Sequence, residues 1–241
     1  MDDKEKILLV FDLDHTILDK NSDREISTLF KIFDESIYNR DHKQQYWGDV
    51  MQKVYIQMKK EGIEIEQIKE LIQSLTLTKN FNDLFDFIRI NKNKFECIII
   101  SGANTLFIKW LIEKHKWDDI FSDFYSNPAE ICVEKLISIK NFHSHQCSNG
   151  CDGSQCKKII LADYLQMKNN IYKNIVYLGD GSNDYCPSTL LNLNDTLYPR
   201  KNFDLFKDLY SLNKIINVKC NVVPWENGLD IIDSLKNFYQ I

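Results

Sequence analysis

Two acids separated by one residue, Asp12 and Asp14, close the run Ile7-Leu8-Leu9-Val10-Phe11. Five apolar residues in succession read as a short strand buried on both faces. If the extended geometry persists to Asp14, a period of two sets both carboxyls on one side, at the carboxyl end of the strand. Crowded acids there repel each other unless a cation or a shared proton intervenes. A second acidic turn, Gly179-Asp180-Gly181-Ser182-Asn183-Asp184, ends another apolar run, Asn174-Ile175-Val176-Tyr177-Leu178. Such chemistry suits phosphoryl transfer. Asp12 can attack phosphorus to form an acyl phosphate, which water then hydrolyses. Asp14 can protonate the leaving alcohol and later take a proton from the attacking water. A divalent cation and fixed donors must offset the carboxylates and the phosphate dianion. Asp180 and Asp184 supply the remaining acids, and oxygen ligands beside a phosphate favour Mg²⁺. Ser101 and the backbone N–H of Gly102, at a predicted helix start, offer neutral donors to phosphate oxygens, and Lys157 adds a positive charge.

Each of these residues also has a plainer reading. Asp12 and Asp14 could cap a turn, although a second acidic turn at residues 180 to 184 argues for a shared site. A Gly-Asp-Gly tripeptide alone is a common turn, and Ser101 alone is as good an N-cap as a ligand. His15 reads as a packing residue and Asp19 as a surface acid. Asp23 divides between helix cap and substrate contact.

The elements that must position these groups alternate between strand and helix. Residues 22 to 85 read as a helical insertion behind the first strand. Its first helix is expected over Arg24 to Phe33 with Ser22 or Asp23 as N-cap, its second from Gln44 to Lys60, and its third through Ile65, Ile68, Leu71, Ile72 and Leu75. Strand-like segments follow at Phe95–Ile100, Asp123–Ser126, Asn174–Leu178, Asp195–Tyr198 and Asn221–Val223, with helices expected from Thr105 to about Lys114 and from Lys157 to Gln166. Alternation of this kind implies right-handed crossovers and a mainly parallel sheet, with several strand ends gathered along one rim. The domains expected are a catalytic core of residues 1–21 and 86–241 and a helical cap of residues 22–85.

The chain of 241 residues is 44% hydrophobic and 27% charged, as in an ordinary soluble protein, with a formal charge of -5 and no basic track for nucleic acid. The charged start Met1–Lys6 is followed by an apolar run too short for a signal peptide, and no stretch reaches transmembrane length. Seven cysteines without an export signal suggest reduced thiols in the cytoplasm. His143, His145, Cys147, Cys151 and Cys156 fall in an irregular segment from Asn127 to Gln155 and its end, which could hold a hairpin. They read as reduced thiols on a loop, with structural zinc as the second reading, since the cysteine spacings differ from those of common zinc ribbons. Tyr46, Trp47 and Tyr55 could wall an ammonium group or, at helical spacing, belong to a core.

Together, Asp12-x-Asp14-x-Thr16, Ser101, a lysine near 157 and the 179–184 turn resemble the four motifs of the haloacid dehalogenase superfamily of aspartate-nucleophile phosphatases. More narrowly, Phe11 to Thr16 with Asn21-Ser22-Asp23, then Ser126-Asn127-Pro128, Cys156-Lys157 and Gly179 to Pro187 look like the phosphoethanolamine/phosphocholine phosphatase family, some relatives of which are described as pyridoxal phosphate phosphatases. The resemblance implies a Rossmann-like α/β core, a helical cap between the first and second motifs, Mg²⁺ dependence and a small phosphomonoester substrate. It implies Asp12 as nucleophile and metal ligand, and Asp14 as acid and base with its backbone carbonyl on the metal. Asp180 would be a further metal ligand, with Asn183 and Asp184 behind it. Thr16, Ser101, Gly102 and Lys157 would contact phosphate, Lys157 rather than Lys158 because it follows Cys156. Asp23 would take part in substrate specificity. One departure concerns the residue after Ser101, usually Asp in the family and thought to meet the substrate's ammonium group; here it is Gly102. The readings carried forward are a phosphatase for phosphoethanolamine or phosphocholine, one for pyridoxal phosphate or a sugar phosphate, and a phosphate-binding or scaffolding protein without turnover.

Overall fold

The computed structural model describes residues 6–39, 46–149 and 151–240. The expected start of the second cap helix at Gln44 and most of the charged segment Met1–Lys6 lie outside these residues.

The strand predicted first is β1, Ile7–Phe11, and it is buried along its whole length. It lies inside a six-stranded parallel sheet of order β3-β2-β1-β6-β7-β8. The other strands are β2 (Phe95–Asn104), β3 (Phe121–Asn127), β6 (Asn174–Gly179), β7 (Thr196–Pro199) and β8 (Asn221–Val222), and β4 (Ala129–Ile131) and β5 (Ile137–Ile139) form the antiparallel hairpin anticipated in the irregular segment. Pleat alternation splits β1 between two cores. Ile7, Leu9 and Phe11 face one apolar cluster, and Leu8 and Val10 face the other.

Helices cover both faces. On the Phe11 face lie α2 (Trp47–Lys60), α3 (Ile65–Ser74), α4 (Phe81–Ile90), α5 (Thr105–His115) and α9 (Gly228–Tyr239). On the Val10 face lie α6 (Lys157–Met167) and α8 (Asp204–Tyr210), while the short α7 (Tyr185–Ser188) follows the second acidic turn. Among the described residues, no helix is long and apolar enough to cross a membrane.

The segment expected as one helix from Arg24 to Phe33 is instead a single turn, α1 (Ser22–Glu25), and a 3₁₀ turn, Ile26–Leu29. Its N-cap is Asn21, whose side chain accepts from the Arg24 N–H at 2.9 Å, in place of the expected Ser22 or Asp23. Local bonding explains the early stop. The Thr28 hydroxyl donates back to the Glu25 carbonyl and competes with the helical N–H for it, while the Ser22 N–H, free at the helix start, is used to hold Asp14. Helix α4 straddles residue 85 and is wedged into the sheet side of the fold, where Phe85 meets Phe11 and Phe121 with ring centroids 6.0 and 5.7 Å apart.

Candidate active site

The parallel strands β1 and β6 are adjacent, so the turns that leave them meet. The backbone N–H of Asp12 still bonds to the Leu178 carbonyl at 3.0 Å, one residue beyond the end of β1. The chain then folds into a tight turn over Leu13–Ile17, with His15 in the left-handed region at φ 56°. Asp12 and Asp14 both keep extended backbone angles, and both line a cavity of about 600 Å³. The expected same-side placement holds although the strand itself stops at Phe11.

Helix α6 supplies the counter-charge. Lys157, on its first turn and 2% exposed, places Nζ 2.7 Å from Asp12 Oδ1 and 2.7 Å from Asp184 Oδ1. Among the described residues it is the one buried cation. Lys158 turns away to Thr189, with Nζ donating to its hydroxyl at 3.0 Å. Burial works against the charge on Lys157, but the carboxylates of Asp12 and Asp184 outweigh it and hold its pKa above the ordinary lysine value.

Carboxylate oxygens of Asp12, Asp180 and Asp184 lie within 4.8 Å of one another. Burial, with help from neighbouring acids, pushes Asp12 up to about 7 and Asp180 up to about 9. One lysine therefore leaves the group short of positive charge. A hard divalent cation suits a buried cluster of oxygen donors with this deficit.

The three acids are not equivalent. Asp184 Oδ1 accepts from Lys157 and from the Tyr177 hydroxyl at 2.8 Å, and its Oδ2 accepts from the backbone N–H groups of Asp180 and Gly181 at 3.2 and 3.1 Å. Its acceptor positions are filled. Asp180 makes no side-chain hydrogen bond among the described residues and faces the cavity. Gly179 permits this arrangement, because a Cβ at that position would lie 2.5 Å from the Asp184 carboxyl carbon.

Asp14 lies outside the three-acid cluster. Its Oδ1 accepts from the Ser22 N–H at 2.8 Å, and burial, reinforced by the charge of Asp23, pushes its pKa up to about 7. Asp23 is 2% exposed; burial pushes it up to about 6 against the opposing hydrogen bond from the Trp47 indole N–H at 2.6 Å. Its second oxygen, Oδ1, has no hydrogen-bond partner among the described residues. Ser101, Gly102 and Asn183 also line the cavity.

Thr16 is not brought to this cavity. It is fully buried, and its hydroxyl finds no hydrogen-bond partner among the described residues. Of the three candidate wall aromatics, only Trp47 lines the cavity. Tyr55 is core, 1% exposed, and accepts from the Asn104 amide at 3.0 Å. Arg24 already stacks its guanidinium over Tyr38, 4.0 Å from the ring centroid. Sequence reasoning passed over Tyr177 and the link between Trp47 and Asp23. It also passed over Arg200, which donates to the His15 carbonyl at 2.6 Å and pairs with Asp19 at 2.5 Å.

A six-stranded parallel sheet carrying this set of carboxylates and a lysine on the rim defines a phosphatase of the haloacid dehalogenase superfamily, a phosphoric monoester hydrolase. Residues 7–239 match the family model described as "Putative Phosphatase", and the chain belongs to that family. It is 38% identical over 236 residues to the pyridoxal phosphate phosphatase PHOSPHO2 of Homo sapiens, covering 96% of this chain and 98% of the relative. It is 28% identical over 233 residues to the phosphoethanolamine/phosphocholine phosphatase of Homo sapiens, covering 94% and 86%. Among solved structures it resembles phosphoserine phosphatase from T. onnurineus, with a TM-score of 0.60 at 14% identity over 98% of this chain and 96% of that one.

Proposed function

We propose that this phosphatase is a Mg²⁺-dependent enzyme of the cytoplasm that hydrolyses a small phosphomonoester through an aspartyl-phosphate intermediate. The observation that carries the reading is Asp12, held 2.7 Å from the buried Lys157 at the mouth of β1 with Asp180 and Asp184 beside it. Asp12 and Asp180, with the backbone carbonyl of Asp14, would hold the ion, and Asp184 would keep Lys157 and the 180–181 backbone in place. When bound, Mg²⁺ would neutralise phosphate and carboxylate charge so that the two anions can approach.

In the first displacement, a carboxylate oxygen of Asp12 bonds to phosphorus as the ester P–O bond breaks, and protonated Asp14 gives its proton to the departing alkoxide. A pKa near 7 leaves a useful fraction of Asp14 protonated at neutral pH. In the second, Asp14 takes a proton from water, whose oxygen bonds to phosphorus and releases the Asp12 carboxylate with inorganic phosphate. Ser101 and the Gly102 N–H orient the phosphate oxygens, and Lys157 keeps Asp12 charged and pointed. The helical insertion behind β1, up to the start of α4 at Phe81, would act as the cap over the rim, since α4 itself packs on the sheet. Trp47 and Asp23 from this part line the cavity, and a cap in that place would limit the access of bulk water and of large leaving groups.

Pyridoxal 5′-phosphate is the leading substrate. The relatives bearing that name are more similar than the amino-alcohol phosphatases, and Gly102 leaves Asp23 alone to meet a cationic head group. Amino-alcohol phosphates form the second reading, favoured by the Asp23 oxygen beside Trp47 that has no partner among the described residues. Release of phosphate from pyridoxal 5′-phosphate, phosphoethanolamine, phosphocholine, sugar phosphates and an aryl phosphate, with and without Mg²⁺, ranks these readings. Asp12→Asn should reduce turnover by at least about 10⁴-fold while the circular dichroism spectrum is unchanged. An active folded variant would remove Asp12 as nucleophile, and a wild-type chain inactive on every ester would favour phosphate binding without turnover.

A further inference from the structure

One wall of the active-site cavity has no regular structure of its own. Between β5 and α6, the described residues of 140–156 form neither helix nor strand, yet Asn149, Cys151, Asp152, Ser154 and Gln155 all line the cavity. A loop of that length seldom holds a fixed shape without an added constraint.

The constraint is written in its cysteines. The sulfur atoms of Cys147, Cys151, Cys156 and Cys186 all lie within 4.8 Å of one another, and none of the four is in a disulfide. Cys147 Sγ is 3.4 Å and Cys156 Sγ 3.9 Å from Cys186 Sγ. Four sulfurs at about 2.3 Å from a tetrahedral ion would stand about 3.8 Å apart, so the thiols already occupy nearly the required positions. Thiols are weak hydrogen-bond partners and gain little from meeting one another without an ion. The two histidines of the same segment are occupied otherwise. His143 Nε2 accepts from the Cys156 N–H at 3.1 Å, and His145 contacts the Asp152 carbonyl through Nε2 at 2.7 Å and the Cys147 N–H through Nδ1 at 3.2 Å. They brace the loop backbone.

We propose that Cys147, Cys151, Cys156 and Cys186 form a structural zinc site that fastens the cavity wall to the catalytic rim. Four sulfur donors leave no open position, which marks a structural rather than a catalytic ion. The ion would bind all four as thiolates and release the protons they still carry. Asn149 Nδ2, 3.4 Å from Cys186 Sγ, supplies a hydrogen bond to one of them. The two anchoring ligands are well chosen by position: Cys156 immediately precedes Lys157, and Cys186 follows Asp184 by two residues. The ion thus ties together both partners of the buried pair that holds Asp12, without touching Asp12 itself.

The test is elemental analysis of the full chain, purified under reductant and dialysed against a chelator strong enough to strip carboxylate-bound ions. About one zinc per chain should remain in the wild type and in Cys132→Ser, and be lost from Cys147→Ser and Cys186→Ser. Because a cysteine variant could fail to fold, the wild type is also titrated with a mercurial thiol reagent. Zinc should then appear in solution in step with modification of four thiols. Replacement by Co²⁺ should give the ligand-field absorption of a tetrahedral tetrathiolate. A folded wild-type chain that holds no zinc, holds iron instead, or carries a disulfide between Cys147 and Cys186 would overturn the assignment, as would equal zinc content in the wild type and a folded Cys186→Ser variant.

Discussion

Two groups of potential anions share one rim of this molecule, and they are built on opposite principles. The carboxylates of Asp12, Asp180 and Asp184 crowd one another, and Asp12 and Asp180 face a cavity, raised far above ordinary carboxylate values by burial and by neighbouring acids. The four thiols converge on each other, at the point where an irregular loop meets the fold. An active centre is stored as electrostatic tension that a ligand relieves. A fastener is stored as completed geometry. The oxygen cluster repeats the distinction internally, since every acceptor position on Asp184 is filled while Asp180 has no hydrogen bond to lose among the described residues.

The difference between those two acids is the strongest way to break the comparison. Asp184→Asn puts an amide N–H₂ where both oxygens now accept from donors, so one side of the new side chain must face Lys157 and Tyr177 or two backbone N–H groups with the wrong polarity. The buried lysine also loses half its counter-charge. We expect a loss of about 3 kcal/mol in unfolding free energy and at least about 10²-fold in turnover. Asp180→Asn should behave oppositely in stability. Asp180 is protonated in the cation-free fold at neutral pH, because burial and the charge of Asp12 lift it to about 9, whereas its unfolded form is ionised. Asn has no proton to take up on folding, so the variant should stabilise the cation-free chain by roughly 2 kcal/mol while Mg²⁺-dependent turnover falls. Chemical denaturation with and without Mg²⁺ reads both effects, and equal destabilisation by the two variants would defeat the distinction.

Much of the core was legible because strands buried on both faces are uninterrupted apolar runs: Ile7–Phe11 and Asn174–Leu178 were bounded to within a residue. Acids and glycines abruptly ending such runs were enough to find Asp12, Asp14, Asp180 and Asp184. The segment after Asn21 was misread because Ile26, Leu29, Phe30 and Phe33 keep helical spacing, while the Thr28 hydroxyl bond that competes for the Glu25 carbonyl is invisible to periodicity. Helix α4 was passed over as a separate element although Phe81, Leu84, Phe85 and Ile88 keep helical spacing. Contacts across the chain were the least legible. Nothing near Cys147 announces a partner 39 residues away, although Cys186 stood in plain view beside the second acidic turn. Trp47 was weighed as core or ammonium wall, and the indole hydrogen bond to Asp23, 24 residues back, follows from neither reading.

Proton competition sharpens the contrast further. Asp12 and Asp180 have folded pKa values raised above the unfolded value of 3.8, so in the cation-free protein their contribution to stability is greatest at low pH and is lost as pH rises toward about 7 and about 9. A divalent cation relieves that loss. The rise in melting temperature caused by saturating Mg²⁺ should therefore be small near about pH 5 and several degrees larger near about pH 8. Differential scanning fluorimetry across that range checks the sign. A Mg²⁺ effect that shrinks with rising pH would mean that the ion does not bind these carboxylates.

The smallest expected effect concerns specificity at the same rim. Gly102 lines the cavity in a backbone conformation that any L-residue can adopt, and a Cβ there would meet only Asn183 Nδ2, at an ordinary 3.7 Å. An acid fits where the family resemblance leads one to expect it. Gly102→Asp adds a second carboxylate alongside Asp23, and a partly solvated pairing with an ammonium group contributes about 1 kcal/mol. Discrimination, measured as kcat/KM for phosphoethanolamine over pyridoxal 5′-phosphate, should rise about fivefold, mainly through KM, because the added charge meets the head group rather than the phosphorus. A fall in kcat for both esters with no change in their ratio would instead place residue 102 among the groups that handle phosphate and leave selectivity to Asp23 and Trp47.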